Sequence, residues 1–233
     1  MVVCNNILAM LFVVFFLIVP SVTFAEDTEE DVAIWGGGLF LVEPDSGIDY
    51  SLEYQFRYSD DLDSLGSQFV EAMAYHKASP NVLLNGGYRF TERPDHNEQR
   101  LYFGGFMDLT RTSRGLLPAQ DNFRATLQVG YQRDFNTSFD DTIMDSNSIR
   151  WVLVASTPVT QRIKPFLLAG VLTTWNEAYS FGVDKVRLGG GIHYQLNKNS
   201  RLRIQYMWEK FRFRSPQKNT NIIWLRYEKR FGH

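Results

Sequence analysis

The segment GIDYSLEYQFRYSD, residues 47–60, alternates apolar and polar side chains over eleven consecutive positions, 48–58. Its apolar positions are Ile48, Tyr50, Leu52, Tyr54, Phe56 and Tyr58, and its polar positions are Asp49, Ser51, Glu53, Gln55 and Arg57. Successive side chains of a β-strand point to opposite faces, so the pattern predicts a strand with one apolar and one charged face. Half of the apolar face is tyrosine, whose ring suits a boundary between an apolar and a polar phase.

The same alternation recurs along the rest of the chain. It is strongest at 123–132, 185–196 and 201–209, continues in the closing segment 220–231, and is weaker at 32–42, 66–77, 81–91, 98–110, 147–157 and 162–175. Together with the opening segment these make eleven candidate strands, several of them ten to twelve residues long. Strands of globular proteins usually have about five or six residues, whereas a tilted membrane-spanning strand needs about nine to eleven. The lengths therefore favour a membrane protein.

The connections between these segments differ in length from one to the next. EPDS (43–46), ASP (78–80), TPVT (157–160) and NKN (197–199) predict tight turns, whereas 59–66, 91–98, 134–147, 176–184 and 214–219 predict longer polar loops. Short turns at one end and long loops at the other are typical of outer-membrane barrels. The exception is RTSRGLLPAQ (111–120), a long connection at a position where a short turn is expected.

These patterns predict an all-β fold, a transmembrane antiparallel up-and-down β-barrel of ten or twelve strands. Hydrocarbon offers no hydrogen-bond partner, and closing the sheet satisfies every backbone group. A barrel with an even number of strands and a periplasmic N-terminus cannot use eleven segments. Either 32–42 is not a full strand, which gives ten strands, or one further strand is missing from the count, which gives twelve; ten is favoured. Outward aromatic residues that would form the interfacial girdles are Tyr50, Tyr54, Tyr58, Tyr131, Tyr206, Trp208 and Tyr227. A soluble lipocalin-like barrel, with the two faces exchanged, is the alternative.

The N-terminus predicts export. Residues 2–25 carry no Asp, Glu, Lys or Arg, and an apolar run at 7–20 is followed by the small residues Thr23 and Ala25 and the acidic EDTEED. This is the layout of a secretory signal peptide, and the run is shorter than the roughly 20 residues of a spanning helix. We expect a signal peptide at 1–25 and a single outer-membrane barrel domain at 26–233, with an uncleaved anchor as the alternative. Cys4, the single cysteine, would leave with the signal.

Several short motifs resemble one known family. They are Trp35, EYQFRYSDD (53–61), GYRF (87–90), EQRLYFG (98–104), VRLGGGIHYQLNKNSRLRIQY (186–206) and the aromatic C-terminal strand ending at Phe231. In this order they resemble an uncharacterised bacterial outer-membrane family known as "domain of unknown function 2490". GLLPAQD (115–121) departs from the family pattern. The resemblance implies an outer-membrane barrel and no established activity.

The predicted inward face collects charge, and arginine outnumbers acid on it. The residues predicted to form a lumen network are Glu53, Arg57, Arg89, Arg100, Arg124, Arg150, Arg187, His193, Arg203, Glu209, Arg226 and Glu228, with Asp108 and Arg230 on the same face. Arginine pairs bidentately with carboxylates, so a largely filled, structural or ligand-binding interior is expected. The arginine excess leaves a small anion-favouring pore as the alternative, although ten to twelve strands enclose far less space than a porin.

The sequence does not predict an enzyme. None of His76, His96, His193 and His233 is followed two residues later by the serine that barrel lipases often use. Asp60-Asp61, Asp140-Asp141 and Asp95-His96 fall in predicted outer loops, which keeps an omptin-like rim protease as the weakest alternative. The glycine runs 36–38 and 189–191 lie within strands, so they are not phosphate-binding loops. We therefore expect no catalytic residue, no metal ligand and no cofactor.

The expected partners follow from the location. They are outer-membrane lipid, lipopolysaccharide and the barrel-assembly machinery, which reads a terminal aromatic residue such as Phe231. The formal net charge is −2, and no segment concentrates basic residues as a nucleic-acid surface requires, so no nucleic acid is expected. A closed barrel is expected to be a monomer.

Overall fold

The computed structural model describes residues 29–45, 47–59, 62–112, 123–136, 145–175, 181–211 and 218–232, so the predicted signal peptide lies outside the described residues. These residues form eleven strands and one short helix. The strands are β1 (Glu29–Glu43), β2 (Ile48–Ser59), β3 (Ser64–Ser79), β4 (Val82–Glu92), β5 (Asn97–Asp108), β6 (Arg124–Asn136), β7 (Ser146–Ser156), β8 (Ile163–Trp175), β9 (Gly182–Asn197), β10 (Ser200–Phe211) and β11 (Lys218–Gly232), and the helix is α1 (Leu109–Thr112). Each segment predicted from alternation is a strand.

The sheet closes on itself as a barrel. Each strand pairs in antiparallel fashion with the next one in sequence, and β1 closes the ring against β11. That last pair is parallel, with Glu29 opposite Lys218, Trp35 opposite Trp224 and Glu43 opposite Gly232. Every backbone group along the closing pair therefore has a strand beside it.

The predicted strand count was wrong, and so was the expectation that every pair would be antiparallel. The described residues contain eleven strands rather than ten or twelve, and 32–42 lies within β1, a full strand of fifteen residues. The prediction assumed an antiparallel closure, which requires an even number of strands. A parallel closing pair removes that requirement, because it satisfies the two edges with an odd number.

The two faces of the barrel wall have opposite character, as β2 illustrates. Tyr50, Leu52 and Tyr54 are 47%, 50% and 44% exposed on the outside of the barrel, whereas Glu53 and Gln55 are only 7% and 2% exposed. Large exposed apolar side chains recur on the other strands, and most of the buried residues are polar or charged. This distribution is the reverse of that in a water-soluble domain.

One part of the inner wall is apolar. Ala33, Trp35, Met207 and Ile222 form a buried cluster on β1, β10 and β11, against which Leu168 and Trp224 pack. The rings of Trp35 and Trp224 meet edge to face, with their centroids 5.9 Å apart. The interior is therefore partly filled by an apolar layer that the alternation of charge did not predict.

The connections follow the predicted division into short and long ends only in part. One end carries 44–47, 80–81, 109–123, 157–162 and 198–199, and the other carries 60–63, 93–96, 137–145, 176–181 and 212–217. The connections 60–63 and 93–96 are only four residues long because the strands continue into the predicted loops. The longest connection, 109–123, joins the end of the short turns, where the sequence placed the exception 111–120.

Local chemistry explains the tight turns. Gly47 precedes β2 with φ of +77°, a conformation that glycine adopts without a steric cost. In the β7–β8 connection the Thr160 hydroxyl accepts hydrogen bonds from the amides of Arg162 and Ile163, at 3.2 and 3.0 Å. Among the described residues, no helix has both the length and the apolar character to cross a membrane.

Candidate ligand-binding lumen

The barrel encloses a cavity of about 530 Å³. Its lining reaches Arg93 and Phe211 at the end where 93–96 and 212–217 lie, and it extends along the barrel to Tyr75 and Phe106, toward the other end. Among the described residues, nine lysine or arginine side chains line it, against four aspartate or glutamate side chains. Most of the cations are held in three groups of ion pairs, which occupy different parts of the wall.

The first group centres on Arg226 of β11. Its guanidinium donates to Glu53 of β2 at 3.0 Å and to Glu228 at 2.7 Å. Glu228 also accepts a hydrogen bond from Arg201 of β10. All four side chains lie near the closing seam, so the group ties β2, β10 and β11 together across β1. Within that seam Gly37 of β1 has no side chain to separate Gln55 from Arg226.

The second group lies on β3, β4, β5 and β6. Arg89 donates to Glu71 at 2.7 Å, and Arg100 pairs with both Asp134 and Glu98. Arg100 faces Asp134 directly across the β5–β6 pair, and Arg89 faces Glu71 across β3–β4. Register alone therefore places each cation beside its carboxylate.

The third group surrounds Glu209 of β10. Lys185 of β9 lies 3.1 Å from this carboxylate, and Arg187 of the same strand also donates to it. Arg187 is opposite Glu209 in the β9–β10 register, whereas Lys185 is opposite Phe211. One carboxylate thus neutralises only part of the charge of two cations.

Three arginines of the cavity have no carboxylate partner in the described residues, namely Arg57, Arg150 and Arg203. Arg57 lies over the Trp35 ring at 4.2 Å, and Arg203 lies 4.8 Å from the Trp224 ring. The Arg203 guanidinium donates only to the amide oxygen of Gln205. Aromatic faces attract such cations but do not neutralise them, so the cavity keeps an excess of positive charge.

The structure places the predicted site residues in four settings. Those that line the cavity are Glu53, Arg57, Arg89, Arg100, Arg150, Arg187, Arg203 and Arg226. Glu209 and Glu228 lie behind the lining as ion-pair partners. His193 packs on Phe166 with ring centroids 4.8 Å apart, below the cavity. Arg124 is exposed at the first residue of β6 and is not part of the lining.

Residues missed from the predicted site include Glu71, Asp134, Lys185 and Gln55. Glu71 lies in β3, whose inner face also carries Phe69 and Met73, so its alternation of polarity is weak. Asp134 lies in a segment assigned to a loop from its polar neighbours. Pairing across the barrel identifies Glu71 and Asp134, whereas the local alternation already places Gln55 and Lys185 on the polar faces of their strands.

Of the residues named for the omptin-like alternative, the structure describes the pair Asp95 and His96. The Nδ1 of His96 lies 2.8 Å from the Asp95 carboxylate in the β4–β5 connection. Hydrogen bonds from its own backbone amide and from His96 hold the pKa of Asp95 below its ordinary value. The pairs Asp60-Asp61 and Asp140-Asp141 of the omptin-like alternative lie outside the described residues. Within the described ranges, no group of three or more His, Cys, Asp or Glu side chains is placed to hold a metal ion.

A sequence profile described as "protein of unknown function (DUF2490)" matches residues 34–221, which is most of the chain. The chain belongs to this family. The match confirms the family resemblance of the motifs that begin at Trp35. No curated protein matches the sequence of this DUF2490 chain.

Solved structures show what the DUF2490 barrel is similar to. A "bacterial polysaccharide outer membrane secretin" superposes with a TM-score of 0.52 and 13% identity, covering 78% of this chain and 63% of that chain. The β domain of the Bordetella autotransporter Brka superposes with a TM-score of 0.47 and 13% identity, over 72% of this chain and 78% of that chain. This chain therefore spans less than two thirds of the secretin, and at this identity the likeness shows the fold alone.

Proposed function

We propose that this protein is a bacterial outer-membrane β-barrel whose charged, largely filled lumen binds a ligand, and that it is not an enzyme. The observation that carries the proposal is the inverted polarity of the wall. Apolar side chains such as Leu52, Ile223 and Leu225 are each 50% exposed outside, while Glu228 is 2% exposed inside. Transfer of an exposed aliphatic side chain out of water is favourable by about 1.5–3 kcal/mol. A belt of such residues around a closed barrel therefore favours a hydrocarbon environment.

The lengths of the strands support the same environment. They run from eleven to sixteen residues, and about nine to eleven are enough to cross the hydrocarbon region. A lipocalin-like carrier would need an apolar cavity and a charged outer surface. The lining with nine cations and four carboxylates does not fit that alternative.

Ligand binding fits the size of the cavity, because about 530 Å³ lies in the range of small-molecule sites. The lining is continuous with the end that carries Arg93. On β10 and β11 it stops before the Arg201–Glu228 ion pair, whereas on β5 and β7 it reaches Phe106 and Val154, two residues from the other ends of those strands. A small anion-favouring pore is the second candidate, favoured by the excess of cations over carboxylates in the lining. Planar-bilayer conductance separates the two, because a binding cavity closed at one end gives no steady anion current.

Cell fractionation with heat-modifiable gel mobility tests the location. We expect the protein in the outer-membrane fraction, as a monomer that migrates differently before and after boiling. A periplasmic protein whose mobility does not change on boiling would contradict the proposal. Export by the predicted signal peptide, insertion by the barrel-assembly machinery and contact with lipopolysaccharide are parts of the same proposal.

A rim hydrolase that uses Asp95 and His96 is the enzyme activity to test. His96→Ala removes the imidazole that contacts Asp95 and leaves the barrel wall unchanged. We expect the wild type and this variant to be equally inactive on peptide and ester substrates. Hydrolysis by the wild type that the variant loses would show instead that the protein is an enzyme.

A further inference from the structure

Four polar atoms on the cavity wall have no hydrogen-bond partner in the part of the chain that the structure describes. Three are donors, Gln55 Nε2, Arg57 Nε and Trp224 Nε1, and one is an acceptor, Asn85 Oδ1. Gln55 is only 2% exposed, and it shares the inner face of β2 with Arg57. A buried donor left unpaired costs more than a hydrogen bond normally contributes, so this wall favours a ligand that accepts hydrogen bonds.

The same wall concentrates cations. Arg57 and Arg89 contact one ring, with guanidinium carbons 4.9 and 3.9 Å from the centre of Phe69. Arg89 and Arg150 lie 5.3 and 6.0 Å from the centre of Tyr102. Of these three arginines only Arg89 has a carboxylate partner among the described residues. Arg57 and Arg150 therefore repel their neighbours across a shared space, and a multivalent anion in that space would relieve the repulsion.

We propose that the part of the cavity wall that carries Gln55, Arg57 and Arg150 binds the phosphate group of a small organic molecule. This inference rests on the proposed function, an outer-membrane barrel with an accessible lumen. Phosphate is multivalent and presents tetrahedral oxygens, so it can accept from donors on separate strands at once. The guanidinium fork of Arg57 on β2 can pair bidentately with those oxygens, with Gln55 on the same face of β2 as a neutral donor, and Arg150 on β7 adds a second cation without a carboxylate partner among the described residues to the same cavity. The cavity of about 530 Å³ has the size of a small-molecule site, which leaves room for an esterified group of hexose size.

The test uses the mature protein refolded into phospholipid vesicles, with inorganic phosphate, glucose 6-phosphate and neutral glucose as probes. Isothermal titration measures affinity, and the temperature of the gel-mobility change measures stabilisation by each probe. We expect both phosphates to bind and stabilise the wild type. Arg150→Gln should weaken that binding about tenfold or more, because it removes charge-assisted hydrogen bonds. Arg57→Gln should have the same effect.

A matched control separates binding from folding. Arg124→Gln removes an arginine that is exposed at the start of β6, away from the lining, and we expect its affinity for phosphate to stay within twofold of the wild type. Without phosphate, Arg150→Gln should be at least as stable as the wild type, since it loses a repelled cation. A structural role for Arg150 would instead lower stability without changing phosphate affinity.

Several results would overturn the inference while leaving the outer-membrane proposal intact. The first is an inserted, heat-modifiable wild type that binds neither inorganic phosphate nor glucose 6-phosphate. The second is an equal loss of phosphate affinity in Arg150→Gln and Arg124→Gln. The third is equal affinity for glucose and glucose 6-phosphate. If inorganic phosphate binds and glucose 6-phosphate does not, the part of the proposal that assigns the phosphate to a small organic molecule would be wrong. Failure of the wild type to insert into vesicles would instead count against the proposed function.

Discussion

Replacing Glu228 with glutamine keeps the shape of the side chain and removes the negative charge that Arg226 and Arg201 share. Glu228 is 2% exposed and the Arg226 side chain is 11% exposed, so the change leaves a buried cation with one carboxylate fewer. Breaking a buried ion pair costs about 3–5 kcal/mol, because a charge remains without its partner.

Two features place the expected loss at the lower end of that range. Arg226 keeps its bond of 3.0 Å to Glu53, and the Arg201 side chain is 37% exposed, so water screens part of its charge. We therefore expect Glu228→Gln to lower the free energy of unfolding by about 3 kcal/mol. The assay is urea unfolding of the barrel in phospholipid vesicles, followed by tryptophan fluorescence.

The chain offers a control with the same chemistry at the surface. Glu43 pairs with Arg230 at 3.2 Å, and their side chains are 31% and 50% exposed. Glu43→Gln should cost less than about 1 kcal/mol, as solvent-exposed pairs do. Equal losses in the two variants, or a loss below about 1 kcal/mol for Glu228→Gln, would refute the reasoning that the lumen ion pairs are desolvated.

Two further predictions concern the wall itself. A Cβ at Gly191 would lie 2.2 Å from the backbone oxygen of Ile204. Gly191→Ala should therefore destabilise the barrel by roughly 1–3 kcal/mol in the urea assay. Gly130→Ala is the control and should be tolerated, because the nearest atom to its Cβ would be 3.7 Å away. The parallel seam also predicts which cysteine pairs a short bismaleimide joins. Ile34→Cys and Ile223→Cys are directly opposite each other and should be joined, whereas Ile34→Cys and Tyr227→Cys are about 13 Å apart along the strand and should not. Equal yields of cross-linked protein from the two pairs would contradict the parallel closure.

The sequence predicted much of the fold because strand alternation is a local property. Each side chain of β2 points to the face that its position in the period of two requires, whatever the rest of the chain does. The closed all-β barrel was predicted correctly for the same reason, and the family was predicted correctly from the short motifs that begin at Trp35. Strand lengths were underestimated, because polar residues such as Asp134 continue a strand toward an exposed end as readily as they form a loop.

The strand count and the ion pairs depend on contacts that no local pattern contains. Whether β1 meets β11 in a parallel or antiparallel orientation is decided by residues at opposite ends of the chain. Glu53 and Arg226 are 173 residues apart in sequence, and the barrel brings them together. Arg57 and Arg226 are both arginines on the inner face of the barrel. Only the pairing of the strands shows that Arg226 lies beside carboxylates, whereas Arg57 has no carboxylate partner among the described residues.

The central claim, that lipid covers one face of the wall and a polar lumen the other, is tested most directly by tryptophan quenching. Two variants would each keep one tryptophan, either Trp151, which is 46% exposed on the outside near the middle of β7, or Trp224, which lines the cavity. In vesicles of lipids brominated on their acyl chains, we expect strong quenching of Trp151 and little quenching of Trp224. Quenching of Trp224 with an unquenched Trp151 would contradict the account.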